Sequence, residues 1–207
     1  MTIGPKIGPQ TPIMVLIFGA HHLPRPLVGL PLAHIETEGQ IDGASADARR
    51  LAVVGSKRDL AAVLTRLMRT DRLDVEVAHV TGRRSAQRAR TAPARRTPLI
   101  RDDTGTAITG AALWLPPEGS TVIVGEAVAD DTVLFDGEVS GVRIEPTAAM
   151  PGVRVAVAGR WPRRWQTARA VQLGTTGARV VRDGVTSTRE VTRSTVYRHT
   201  TGWLRVG

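Results

Sequence analysis

The 207-residue sequence contains no cysteine. That removes disulfides, thiolate zinc sites and cysteine nucleophiles together, and it fits a reducing compartment, with the cytoplasm as the default expectation and a peripheral position at a membrane as its variant. Aromatic residues are scarce, with four Trp, one Tyr and two Phe. The row of exposed rings on which single-stranded nucleic acid stacks is therefore poorly supplied. Long apolar runs are missing too. The longest, residues 13–20 after Pro12, is about half of the ~20 residues that a bilayer crossing needs. Lys6 ahead of that run and Phe18-Gly19-Ala20 at its end imitate a secretion signal, but the apolar stretch is short and Gly-Pro pairs precede it, so export is not expected.

What is abundant is positive charge. The formal net charge is +9, from 28 Lys and Arg against 19 Asp and Glu. Arg83, Arg84, Arg88, Arg90, Arg95, Arg96 and Arg101 fall between His79 and Arg101 with no carboxylate among them. A flexible polycation of this kind is suited to phosphates on nucleic acid or anionic lipid, since it gains from counterion release on either. It offers no geometry for reading bases, so nucleic acid is the weaker expectation, and a solvated linker is the plain alternative.

A chain of this length buries a core without staples, and its pattern divides in two. Gly4-Pro5, Gly8-Pro9 and Pro12 predict an irregular lead-in over residues 1–12, and a first strand starts at Ile13. Residues 21–43, rich in Pro and Gly, read as an extended, partly packed loop. Residues 51–54 form a buried-type strand, and Ser56, with Asp59 three residues on, caps the clearest helix. Leu60, Val63, Leu64, Leu67 and Met68 lay one apolar stripe along it. Leu73, Val75, Val77 and Val80 then complete a strand, helix, strand unit of the length a parallel crossover needs. Residues 81–97 lack an apolar stripe and repel themselves, so a flexible basic linker is expected there. From Pro98 on, short β-branched runs alternate with turns at Asp136-Gly137, Pro151-Gly152 and Asp183-Gly184, the signal of a sandwich or barrel. The fold class is thus a small N-terminal α/β unit (1–80), a basic linker (81–97) and a mainly antiparallel β-sandwich (98–207).

Chemical motifs are few. Gly55-Ser56-Lys57-Arg58 sits where a strand meets a helix N-terminus, a place that attracts phosphate, but neither the glycine spacing nor the Lys-Ser/Thr pair of a phosphate loop is present. A capped surface turn with two solvated cations is the bland reading. His21, His22, His34, His79 and His199 have no metal-ligand spacing, so no metal site is assigned. No Gly-x-Ser-x-Gly elbow exists. Asp102-Asp103 and Asp130-Asp131 are carboxylate pairs whose adjacent members point to opposite faces of a strand, which suits turns better than acid/base work.

Residues 121–146, with Gly125-Glu126, Asp130-Asp131, Leu134-Phe135-Asp136-Gly137 and Ile144-Glu145-Pro146-Thr147, resemble the β-domain of bacterial diacylglycerol kinase-like proteins, actinobacterial ones in particular. The tail extends the likeness through Arg169-Ala170-Val171-Gln172, Val180-Val181-Arg182-Asp183-Gly184-Val185, Arg189 and Tyr197-Arg198-His199-Thr200 to Trp203. It covers about the last 90 residues and, more faintly, residues 51–80. The resemblance implies a lipid-kinase fold, with ATP and magnesium as the cofactors of an active member. Where such kinases carry Gly-Gly-Asp-Gly-Thr, this chain has Gly55-Ser56-Lys57-Arg58-Asp59, which keeps only the first glycine. The family's second glycine segment is replaced by the arginine-rich stretch.

The expectation is therefore a shortened, non-catalytic relative that binds an anionic ligand, a lipid headgroup or nucleotide, or a protein partner. Gly55, Ser56, Lys57 and Arg58, with Arg83, Arg84, Arg88, Arg90, Arg95 and Arg96, are its candidate contacts. The alternative is an active ATP- and magnesium-dependent lipid kinase with Asp130, Asp131 and Asp136 about a shared cleft. Nonspecific nucleic-acid binding through the arginines is the third reading.

Overall fold

The structure, a computed structural model, describes residues 13–159 and 164–207; the lead-in expected over residues 1–12 lies outside them. The chain begins with β1 (Ile13–Phe18), β2 (Leu32–Ile35), α1 (Gly39–Ser45), β3 (Arg50–Val54), α2 (Lys57–Arg69), β4 (Glu76–Val80), α3 (Arg83–Thr91) and β5 (Ala94–Thr97). It continues with β6 (Ile100–Asp102), β7 (Ala107–Ile108), β8 (Ala112–Leu115), β9 (Ile123–Ala129), β10 (Thr132–Val139), β11 (Val142–Pro146) and β12 (Val153–Val157). The remaining strands are β13 (Gln166–Ala168), β14 (Ala170–Arg182), β15 (Val185–Thr186), β16 (Val191–Arg198) and β17 (Trp203–Val206).

One sheet has the order β2-β1-β3-β4-β17-β5. Its strands are parallel apart from β5, which runs antiparallel to β17. Strands buried on both faces read as continuous apolar runs, and Leu51, Ala52, Val53 and Val54 are all buried. The expected β3-α2-β4 crossover forms, with β3 and β4 paired in parallel. Leu60, Val63, Leu64 and Leu67 of α2 pack on one face of the sheet, while Ala86 and Ala89 of α3 pack on the other.

Two expectations are corrected here. The segment expected as an extended loop over 21–43 holds β2 and the start of α1. Gly39 and Gly43 weaken α1's helical signature, but Ile41 is fully buried and Asp42 pairs with Arg66 of α2, so packing overrides propensity. The segment expected as a linker over 81–97 is α3 and β5. Ser85 Oγ accepts from the Thr81 and Gly82 N–H groups at 2.9 and 3.0 Å, and two alanines at i, i+3 supply the only apolar face. Such a stripe is too small to register beside four arginines.

The second layer is an antiparallel sheet of eleven strands bent into two leaves. The first half of β14 pairs with β9 and β16, and its second half with β8 and β15, across an irregularity between Gly174 and Ala178. Both leaves close on one core that includes Trp114, Ile123, Ile144, Val155 and Val171. Trp114 Nε1 donates to Ser194 Oγ at 3.1 Å, which satisfies both buried polar atoms. The boundary expected at residue 98 does not hold to the end of the chain, because β17 returns to the first sheet between β4 and β5. Among the described residues no helix is long and apolar enough to cross a membrane.

Candidate functional site

The turn from β3 into α2 is tightly organised. Ser56, with φ −78° and ψ 175°, caps the helix. Its Oγ accepts from the Asp59 N–H at 3.3 Å, and Asp59 Oδ2 accepts from both the Ser56 N–H and the Ser56 hydroxyl at 2.7 Å. The carboxylate lies directly over the preceding glycine, since a Cβ on Gly55 would stand 2.7 Å from Asp59 Oδ2. A negative group thus sits on the positive end of the helix dipole and takes up the Ser56 N–H. A phosphate arriving there meets like charge at the turn.

The β-lobe docks on α2 through residues 106–110. The Ala107 N–H donates to Thr65 Oγ1 at 2.9 Å, and Thr109 Oγ1 donates to the Lys57 carbonyl oxygen at 2.8 Å. Asp183, in the turn after β14 with φ 47°, clamps the same segment: its carboxylate accepts from the N–H groups of Thr109, Gly110 and Ala111 at 2.9, 2.6 and 2.9 Å. Next to it, Arg182 pairs with Asp102, which is fully buried. Asp102 Oδ1 also accepts from Thr104 N, Thr104 Oγ1 and Thr106 N, so both carboxylate oxygens are partnered in the low-dielectric interior.

A cleft opens on each side of this seam. The first, of about 390 Å³, faces the C-terminal ends of β1 and β2 and is lined by Phe18, Ile35, Arg58, Arg69, Arg182 and Asp183, with Glu36 and Glu38 at its wall. The second, of about 220 Å³, lies toward β4 and β17 and carries Lys57, His79 and Arg205. The two candidate cations of the β3–α2 turn are therefore divided between them. Ser56 is consumed by the cap, and Gly55 lies against the Asp59 carboxylate. Arg58 and Arg69 make no ion pair among the described residues.

The other sequence candidates lie elsewhere. Arg83, Arg84, Arg88 and Arg90 are exposed on α3, and Arg95 and Arg96 on β5; none lines either cleft. Two of them hold structure, Arg90 donating to the Pro26 carbonyl oxygen at 2.7 Å and Arg96 to those of Leu73 and Gly202 at 2.9 and 2.6 Å. Asp130 occupies the β9–β10 turn with φ 50°, and its carboxylate accepts from the Arg169 and Ala170 N–H groups. Asp131 and Asp136 are exposed, and none of these three acids lines either cleft. Sequence reading missed Arg69, Arg182 and Arg205, whose only signal was charge. It saw Asp183 as a turn residue without its clamp, because the partners at 109–111 are more than seventy residues away.

No protein-family model matches the sequence, and no curated protein matches it significantly. Solved structures do match in fold. A diacylglycerol kinase structure from Bacillus anthracis aligns with a TM-score of 0.71 at 8% identity over 95% of this chain and 96% of that one. A second structure from the same organism, assigned as a diacylglycerol kinase, gives 0.74 at 9% over 95% and 96%. An NAD kinase from Archaeoglobus fulgidus, in complex with ATP, gives 0.60 at 9% over 94% and 93%. The chain has the fold of diacylglycerol and NAD kinases.

Proposed function

We propose that this chain is a non-catalytic relative of the diacylglycerol kinases, with degenerate nucleotide loops, that binds a phosphorylated, hydroxyl-bearing ligand in the first cleft. The observation that carries this reading is the Asp59 carboxylate folded back on the Ser56 N–H and hydroxyl. Phosphoryl transfer works by positioning the phosphates and stabilising their charge. A turn already filled by an anion, with Arg58 in place of the glycine expected from the resemblance, fits the polyphosphate of ATP poorly. What remains is a binding surface. Arg58 and Arg69 supply planar, permanently charged forks suited to a phosphate, and Glu36 and Glu38 on the same wall are acceptors for the hydroxyls of a glycerol or ribose. Phe18 and Ile35 give that ligand an apolar side.

Titration calorimetry with glycerol 3-phosphate and ADP, with and without magnesium, tests the reading. The expected result is binding of at least one of them without magnesium, weakened about tenfold or more by Arg58→Gln or Arg69→Gln, as loss of a charge-assisted hydrogen bond predicts. In parallel, ATP and diacylglycerol vesicles should yield no phosphatidic acid. Sustained magnesium-dependent turnover overturns the proposal and returns the chain to the enzymes.

A further inference from the structure

The second cleft differs from the first in the sign of its charge. Its wall carries Lys57, His79 and Arg205 and no carboxylate, whereas the first mixes its arginines with Glu36, Glu38, Asp59 and Asp183. Neither Lys57 nor Arg205 makes an ion pair among the described residues. Strand register explains the convergence. Arg205 of β17 is paired with Val77 of β4, so Trp203, Arg205, Val77 and His79 project from the same face of the sheet by the two-residue period of strands. That face is the one on which α2 lies, as the packing of Val77 and Trp203 with Leu60 and Leu64 shows.

His79 and Lys57 are also held in place. The Gly55 carbonyl oxygen lies 2.9 Å from His79 Nε2, and since a carbonyl only accepts, this nitrogen carries the proton, leaving Nδ1 as the ring's second polar atom. The Lys57 stem runs beneath the bare backbone of Gly110, where an added Cβ would come 2.8 Å from Lys57 Cδ, and the Lys57 carbonyl oxygen is held by Thr109. Apart from Thr97, Thr109 and Thr147 the rest of the wall is apolar, with Leu60, Leu64, Ile108 and Trp203 nearly fully buried beneath it. Like charges brought together in a concavity raise its potential, and low-dielectric walls concentrate that field. An anion relieves the repulsion; a neutral molecule does not.

We infer that this second cleft is a binding site for a small amphipathic anion, one carboxylate or phosphate on a compact apolar body. Lys57 and Arg205 take the charge, and the Leu60, Leu64, Ile108 and Trp203 floor takes the body. At about 220 Å³ the cleft is smaller than the ~300–1,000 Å³ of pockets for drug-sized ligands, which selects a single ring or a short branched chain and excludes a nucleotide. The site shares no cation with the first cleft and does not depend on the function proposed for it.

The test is an NMR titration of the full chain that follows the Trp203 indole N–H, assigned with Trp203→Phe, using benzoate, phenyl phosphate and, as the neutral control, benzyl alcohol. Both anions should shift that resonance saturably and benzyl alcohol should not. Lys57→Gln and Arg205→Gln, both at exposed positions, should each weaken the anions about tenfold, and Ala148→Trp at the exposed mouth should block them. Arg58→Gln, whose side chain lines the other cleft, should leave this Trp203 titration unchanged. An unmoved Trp203 signal, equal binding of the alcohol, or loss of binding in Arg58→Gln instead of Lys57→Gln each overturns the inference.

Discussion

Gly125 shows how little room the β-lobe leaves at some positions. A methyl group there would run into the carbonyl oxygen of Gly174 and stand 2.7 Å from Thr175 Cα, both backbone atoms of the paired strand. Gly125→Ala should destabilise the protein by at least about 1–3 kcal/mol, read from denaturant unfolding. His199 predicts a pH dependence. Burial, and then the charge of Arg101, hold its pKa below the usual histidine value, so the unfolded chain binds the proton more tightly. Its contribution is fully present above the unfolded value of about 6.5 and is lost as pH falls through the lower folded value. Unfolding free energy measured from pH 8 downward should begin to drop near 6.5, and His199→Gln should flatten that part of the curve. At this scale the sequence was partly legible. Ser56 and Asp59 announce their cap by spacing alone, whereas the acceptor role of Asp183 depends on a loop that only the fold brings to it.

The β3–α2 turn and α3 carry opposite lessons about elements. For α2 the apolar stripe is made of leucines and valines, and its cap lies in the sequence, so the helix was readable from end to end. Ser56→Ala should cost about 1 kcal/mol through loss of the cap, measured by thermal unfolding. For α3 the buried stripe is Ala86 and Ala89, and the surrounding arginines mask it. The structural reading makes a sharp prediction against a solvated linker: Ala86→Asp should destabilise the fold by about 3 kcal/mol or more, since it places an unpaired charge in the core, while Arg84→Gln on the exposed side should leave stability within about 0.5 kcal/mol. Equal, negligible effects of both would restore the linker. The same argument recovers β2 and α1, whose glycines and short runs conceal elements stabilised by β1 and α2.

On the scale of the whole molecule, the two-layer plan was legible because its halves use different periods, three to four residues in one and two in the other. Invisible was the path of the chain between them, since β17 looks like any strand of the β-lobe and only its pairing with β4 and β5 assigns it to the first sheet. A protein cut after residue 198 should accordingly lose far more than a peripheral strand: β5 forfeits its partner, and Trp203 vacates the core it shares with Leu60 and Leu64. Loss of cooperative unfolding by circular dichroism is the expected outcome, and a sharp two-state transition would contradict it. The same closure bears on biosynthesis. Residues 13–97 leave the ribosome long before residues 203–206, so the parallel sheet must wait, one place empty between its fourth strand and its edge, until the entire β-lobe has been made. Completion of the protein is then a late event, and a chaperone that shields nascent chains has its substrate in that unfinished sheet.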